Sequence, residues 1–505
     1  MAQSRRNAGT PASAPHGTPT APGNAQPPQR PRTGTAPAHG RIANRLTVTL
    51  VALLAVLAAV MAYGATHSRQ TTTRIPAGTP LGSPAPGTTA PQAPDAVTPA
   101  ELAALADTRG KALADGDEDA FLAALDPATP GLVDEQRRLF RNLRPIPFDE
   151  AAYRVAATRP GPRPGDPLTV DVSFDHRITH ADTSTVGEGY RWTVTRPAPG
   201  AAPRITSITG TPYEGGAGYR YARDYPAPWD RAQLTVARRP HVVVLAEQAL
   251  ADRAEPLADA AEQAAAADLA AYAGPRGTAP GFVLVPVADR AAFYELYGGR
   301  ADQHGDESGL TYALRSSPTG NTAATTRPGT TAQFGGARIV LDVTSGYFTG
   351  GDATRTADLL RHEMAHALVT PLRSDLAGQN QPVWVVEGFA DWLAFRSDRD
   401  RLSAQFGEAR TYLRTGRFTG TLPTDADLYQ ADPVGNAASY QLAHLAMLRI
   451  EETRGAAAVF RFAAAVYADP SAAAVDRALR DATGLDRAAF EADWAQYVRA
   501  LLDHG

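Results

Sequence analysis

Cysteine is absent from the 505-residue chain, which excludes disulfides and thiolate metal ligands and leaves histidine, aspartate and glutamate as the strong ligands. Any metal site must be built from nitrogen and oxygen. Lysine is nearly as scarce: Lys111 is the single copy, so positive charge is carried by arginine, a bias that speaks to origin rather than function. Neither sign of charge dominates, with a formal net charge of -4, and clustered basic stretches of the kind nucleic acid requires are lacking. Nucleic acid is excluded as a partner. Hydrophobic residues make up 43% of the chain, enough for real cores, and the length allows two or three domains.

Residues 46–65 (LTVTLVALLAVLAAVMAYGA) form a run of 20 residues without a charge. As a helix rising about 1.5 Å per residue, the run spans the roughly 30 Å hydrocarbon core of a bilayer. The preceding residues contain Arg5, Arg6, Arg30, Arg32, Arg41 and Arg45 but neither aspartate nor glutamate. The positive-inside rule then puts the N-terminus in the cytoplasm and the remainder outside. A cleaved signal peptide is the other reading, but its charged region would be long and its apolar core exceeds the usual range of about 7 to 15 residues. Residues 1–45, rich in Pro, Gly, Ala and Thr, are expected to be a disordered cytoplasmic tail, and 66–98 an extended Pro-rich linker.

Folded structure is expected to begin at Thr98, with Pro99 in the first helical turn and Glu101 completing a capping box. Two short helices precede four alternating segments, 153–155, 168–174, 190–194 and 204–208, which read as half-buried antiparallel strands. This order, with the phrase ALADGDEDAFLAAL at the front, resembles the nuclear-transport-factor-like cone fold over residues 99–214. Asp171, Asp175, His176, His180 and Asp182 are read as a solvated strand edge and loop rather than an enzyme pocket. The segment is expected to be a spacer or to bind a protein partner.

A linker at 215–232 leads into 233–505, where strands and helices alternate. Strands are expected at 241–245, 281–285 and 337–343, a long Ala-rich helix at 251–272, and a short helix at 291–296; the polar stretch 300–336 reads as an excursion. A helix at 354–369, capped by Asp352 and ended by Pro371, carries His362-Glu363-Met364-Ala365-His366. Histidines four apart share one helical face, so both imidazoles reach one Zn²⁺, while Glu363 serves as general base for a metal-bound water attacking a carbonyl. A second helix at 383–395 carries Glu387, 21 residues beyond His366, and Asp391 one turn further on. The last third is helical and supplies the far wall of a cleft.

The phrase Pro382-Val383-Trp384-Val385-Val386-Glu387-Gly388-Phe389-Ala390-Asp391, together with the first motif, resembles the gluzincin metallopeptidases, particularly the bacterial peptidase-MA-like proteins. The resemblance implies Glu387 as third zinc ligand and Asp391 as the group that orients a ligand histidine; their spacing puts both on one helical face. It also implies an oxyanion donor from a downstream helix, for which Tyr440 is the first choice and His444 the other. The GAMEN-type signature of aminopeptidases is missing, and Phe334-Gly335-Gly336-Ala337 stands in its place, which favours endopeptidase action.

The expected fold class is α+β: a membrane anchor, a cone-shaped α+β domain, then a gluzincin-type domain with a mixed sheet and a helical C-terminal subdomain. The expected function is that of a single-pass zinc metallopeptidase outside the cytoplasmic membrane, acting on peptides or proteins. The alternative is an inactive metallopeptidase-fold envelope protein that serves as a binding or assembly module.

Overall fold

A computed structural model describes residues 96–163, 165–211, 225–298, 307–317, 332–375, 380–396 and 405–503. The tail at 1–45, the anchor at 46–65 and the linker as far as residue 95 lie outside the described residues, as do parts of the 215–232 linker and of the 300–336 excursion. Among the described residues no helix is long and apolar enough to cross a membrane.

The first lobe opens with α1 (Pro99–Asp115), α2 (Glu118–Leu122) and α3 (Leu132–Leu143). The capping box at its start forms in full: Thr98 Oγ1 accepts the Glu101 amide, and the Glu101 carboxylate accepts the Thr98 amide at 2.8 Å. Four strands follow, β1 (Phe148–Arg159), β2 (Leu168–Ile178), β3 (Val186–Thr195) and β4 (Arg204–Gly210), paired in sequence order as an antiparallel meander. A short α4 (Pro228–Arg231) leads to the second lobe.

The second lobe contributes β5 (Leu234–Arg238), β6 (Val242–Glu247), α5 (Ala251–Ala271), β7 (Phe282–Val287), α6 (Arg290–Glu295), β8 (Gly309–Arg315) and β9 (Ala332–Asp342). Then come α7 (Ala353–Val369), β10 (Ser374–Asp375), α8 (Val383–Phe395), α9 (Gly407–Arg414), α10 (Asp425–Leu428), α11 (Pro433–Arg454), α12 (Ala456–Ala468), α13 (Ala472–Thr483) and α14 (Arg487–Asp503). The strands form a mixed sheet in the order β10-β9-β7-β6-β5, with β8 pairing antiparallel to β9. β6, β7 and β9 run parallel, as the intervening helices require.

The parallel strands are apolar on both faces, and their two-residue alternation divides the core. Val242, Val244, Leu284, Ile339 and Leu341 pack with the Ala-rich face of α5 and with Leu360, Met364 and Leu368 of α7. The opposite residues, Val243, Leu245, Val283, Val285 and Val340, join a cluster with Trp192, Trp229 and Phe174 of the first lobe and its connection. The first lobe therefore covers one face of the second sheet, and the described residues from 96 to 503 belong to one compact unit of mixed α+β structure.

That packing corrects the reading of the polar cluster on β2 as a solvated edge. Asp171, Asp175, His176 and Asp182 are all buried; His180 alone is exposed, in a turn. Arg159 and Arg191 hold Asp171 at 2.7 and 2.8 Å, and Arg154 holds Asp175 at 2.8 Å. His176 stacks on Phe174, and burial pushes its pKa down to about 4. Asp182 takes both Nη atoms of the buried Arg338 of β9, at 2.6 and 2.9 Å. Alternation in a sequence marks two faces of a strand; it does not say what covers the second one.

Candidate metal centre

Helix α7 begins where Asp352 accepts the amides of Thr354 and Arg355 at 2.9 and 3.4 Å, as its sequence predicts. Leu360, Met364 and Leu368 seat one face in the core. That seating turns His362 and His366 toward α8, which begins at Val383 as expected. The Nε2 atoms of the two histidines lie 3.1 Å apart, and Glu387 Oε2 is 3.3 Å from the first and 3.5 Å from the second. Three ligands at about 2.1 Å in a tetrahedral site are spaced by about 3.4 Å. His362, His366 and Glu387 therefore form a group that could hold a metal ion.

Electrostatics prepare the same group for positive charge. Burial works against a charged His362, but hydrogen bonds to Asp391 and Glu387 outweigh it and raise the pKa well above its ordinary value. Burial likewise opposes an ionised Glu387, yet the two imidazoles hold its pKa below the usual carboxylate range. Asp391 Oδ1 lies 2.7 Å from His362 Nδ1, where it fixes the ring and directs the Nε2 lone pair at the centre.

The two helices are held in place from behind. Arg361 Nε donates to the fully buried Asp268 of α5 at 2.8 Å, and Arg361 Nη2 to the Leu393 carbonyl of α8 at 3.0 Å, tying three helices beside the centre. Gly388, next to Glu387, allows the close approach of α11: a Cβ there would stand 2.6 Å from the Ala443 carbonyl oxygen. Tyr440 of α11 is partly buried against the same core, close enough to feel the Glu387 charge. Burial, then the Glu387 charge, raise the Tyr440 hydroxyl above its ordinary pKa, so it remains a donor. His444 behaves differently. It is buried, stacked on Phe395 with its edge to Phe406, and burial lowers its pKa to about 4.

Glu363 is buried against β8, on the face of α7 adjacent to the two histidines. Thr311 Oγ1 donates to Glu363 Oε2 at 2.7 Å and lies 3.1 Å from its carbonyl oxygen. Gly309 makes room for the carboxylate, since a Cβ there would be 2.5 Å from Oε1. Sequence reasoning missed Thr311 because β8 falls in the polar stretch assigned to an excursion; the alternation Leu310, Tyr312, Leu314 was its signal. It also missed the Asp268–Arg361 pair, which joins elements far apart in sequence, and Tyr429, a 67% exposed ring directly after α10 whose hydroxyl pKa is raised by desolvation and then by Glu387.

The fold and these side chains define a mixed α+β protein with a His/His/Glu group suited to one metal ion. No protein-family model matches the chain, and no curated protein matches it.

Proposed function

We propose that the chain is a zinc metallopeptidase of the gluzincin, peptidase-MA-like kind, anchored by residues 46–65 and acting on peptide or protein substrates outside the cytoplasmic membrane. The observation that carries the reading is the convergence of His362 Nε2, His366 Nε2 and Glu387 Oε2 at separations of 3.1 to 3.5 Å. Two imidazoles and one carboxylate suit zinc, and three protein ligands are the catalytic rather than the structural pattern. The helices and antiparallel meander of the first lobe support the nuclear-transport-factor-like reading of residues 99–214 in the same way.

Zinc, when bound, supplies a Lewis acid that polarises the scissile carbonyl and acidifies water. Glu363 takes the proton of the attacking water and passes it to the leaving nitrogen, with Thr311 fixing one of its carboxylate oxygens. Tyr440, kept protonated by burial and the Glu387 charge, donates to the developing oxyanion. His362 and His366 hold the ion, and Asp391 holds His362.

The test is turnover of an unfolded protein by the zinc-loaded full chain. Glu363→Gln is expected to abolish turnover while keeping bound zinc, whereas Glu387→Ala loses the metal itself. A zinc-loaded wild type with no turnover above the Glu363→Gln background sinks the proposal and leaves the inactive binding module.

A further inference from the structure

We infer that the first lobe sets the register of β8 against α7 and thereby orients Glu363, making Thr311 and, behind it, the Asp182–Arg338 pair positioning residues for the general base. The inference rests on the peptidase reading and adds a role for residues 99–214.

The 179–185 turn between β2 and β3 grips both β8 and β9. The amides of Thr183 and Ser184 donate to the Gly335 carbonyl at 2.7 and 3.2 Å. Ser184 Oγ lies 2.7 Å from Ser316 Oγ, the Ser317 amide donates to the Thr185 carbonyl at 2.8 Å, and Ser317 Oγ donates to Asp175 at 2.6 Å. Asp182 adds its bidentate pair with Arg338. The glycines of β9 fit this contact: a Cβ on Gly336 would lie 2.0 Å from Asp182 Oδ1, and one on Gly335 2.6 Å from Ser184 Oγ. Phe334-Gly335-Gly336-Ala337 is thus a seat for the first lobe, inside β9 rather than before it.

These bonds fall where β8 needs them. Its pairing with β9 is irregular between Leu314 and Arg315, so the ladder alone fixes that end poorly. A slip of one residue would turn Thr311 to the other face and bring Leu310 or Tyr312 to the Glu363 carboxylate. The buried carboxylate would lose its hydroxyl donor. A first lobe that pins the Ser316–Ser317 end holds Thr311 in place five residues away.

The experiment uses the zinc-loaded full chain with Thr311→Val, Thr311→Ser and Asp182→Asn, and reads kcat and KM on an unfolded protein, bound zinc, and amide exchange. Thr311→Val is expected to lower kcat about tenfold to a hundredfold with KM and zinc unchanged, and Thr311→Ser to restore it. Asp182→Asn is expected to speed exchange across 309–317 while 353–369 and 383–395 keep wild-type protection. If Asp182→Asn does not fold, Ser317→Ala, which deletes one hydrogen bond, takes its place. Wild-type kcat in Thr311→Val, or unchanged exchange in β8, overturns the inference. A zinc-loaded wild type without turnover overturns the peptidase reading instead, and the exchange measurement then decides the register alone.

Discussion

Gly388→Ala adds a single methyl group at the junction of the two helices that matter most. The new Cβ would stand 2.6 Å from the Ala443 carbonyl oxygen and 2.8 Å from its carbon, both backbone atoms of α11. No side-chain rotation relieves such a contact, so α8 and α11 must part by about 0.8 Å to reach ordinary van der Waals separation. Overpacking of this kind costs about 1–3 kcal/mol, while alanine in place of glycine in a helix interior returns at most about 1 kcal/mol. A net loss of up to about 2 kcal/mol follows. The displacement bears on the metal as well, since Glu387 is the neighbouring residue and ligand distances tolerate about 0.2 Å. Thermal melts in the presence of a chelator measure the first effect, and zinc titration against a competing chelator measures the second, with an expected loss of about tenfold to a hundredfold in affinity. A variant that melts at or above wild type and binds zinc as tightly would refute the reasoning.

Three other outcomes are expected. Asp391→Asn removes the charge beside His362 Nδ1 and should weaken zinc about tenfold to a hundredfold, read by the same titration. Tyr440→Phe should lower kcat about a hundredfold, whereas His444→Phe, which replaces a buried ring whose Nε2 has no hydrogen-bond partner among the described residues, should leave kcat at the wild-type value; the two variants separate the candidates for the oxyanion donor. Burial, then the Asp230 charge, hold the Glu188 carboxyl well above the usual range in the first-lobe core. Its folded-state pKa exceeds the unfolded one, so the stability it contributes is complete below about pH 4.3 and lost as pH rises through the folded value. Chemical denaturation across that range should show Glu188→Gln with a flatter alkaline decline than wild type; an identical profile would refute the assignment.

How much of this was legible depends on the distance over which each signal acts. The capping box at Thr98, the Asp352 cap and the span 383–395 are local, and the structure reproduces them because caps and helical periodicity are settled within one or two turns. The grouping of His362, His366 and Glu387 was readable for a related reason: each helix carries its ligands at fixed spacing, so only one relative placement of two helices remained to be found. The ties that create that placement are not local. Asp268 and Arg361 meet across 93 residues, and Asp182 and Arg338 across 156, and neither partner has a sequence pattern of its own.

Distance along the chain also explains why β8 was hidden and why the polar cluster on β2 looked solvated. An edge strand between polar segments carries only its two-residue alternation, a weak signal over seven residues, and its register against α7 is fixed by contacts from a part of the chain more than 120 residues earlier. Charged residues on β2 look solvent-facing until arginines and a second sheet cover them. A buried, fully paired Asp182–Arg338 contact adds little net stability, because desolvation offsets most of the attraction, but removing one partner strands a charge in the core. Such a pair therefore penalises every misdocked arrangement of the two lobes more than it rewards the correct one. That asymmetry suits a device whose task is to hold one strand in one register beside Glu363.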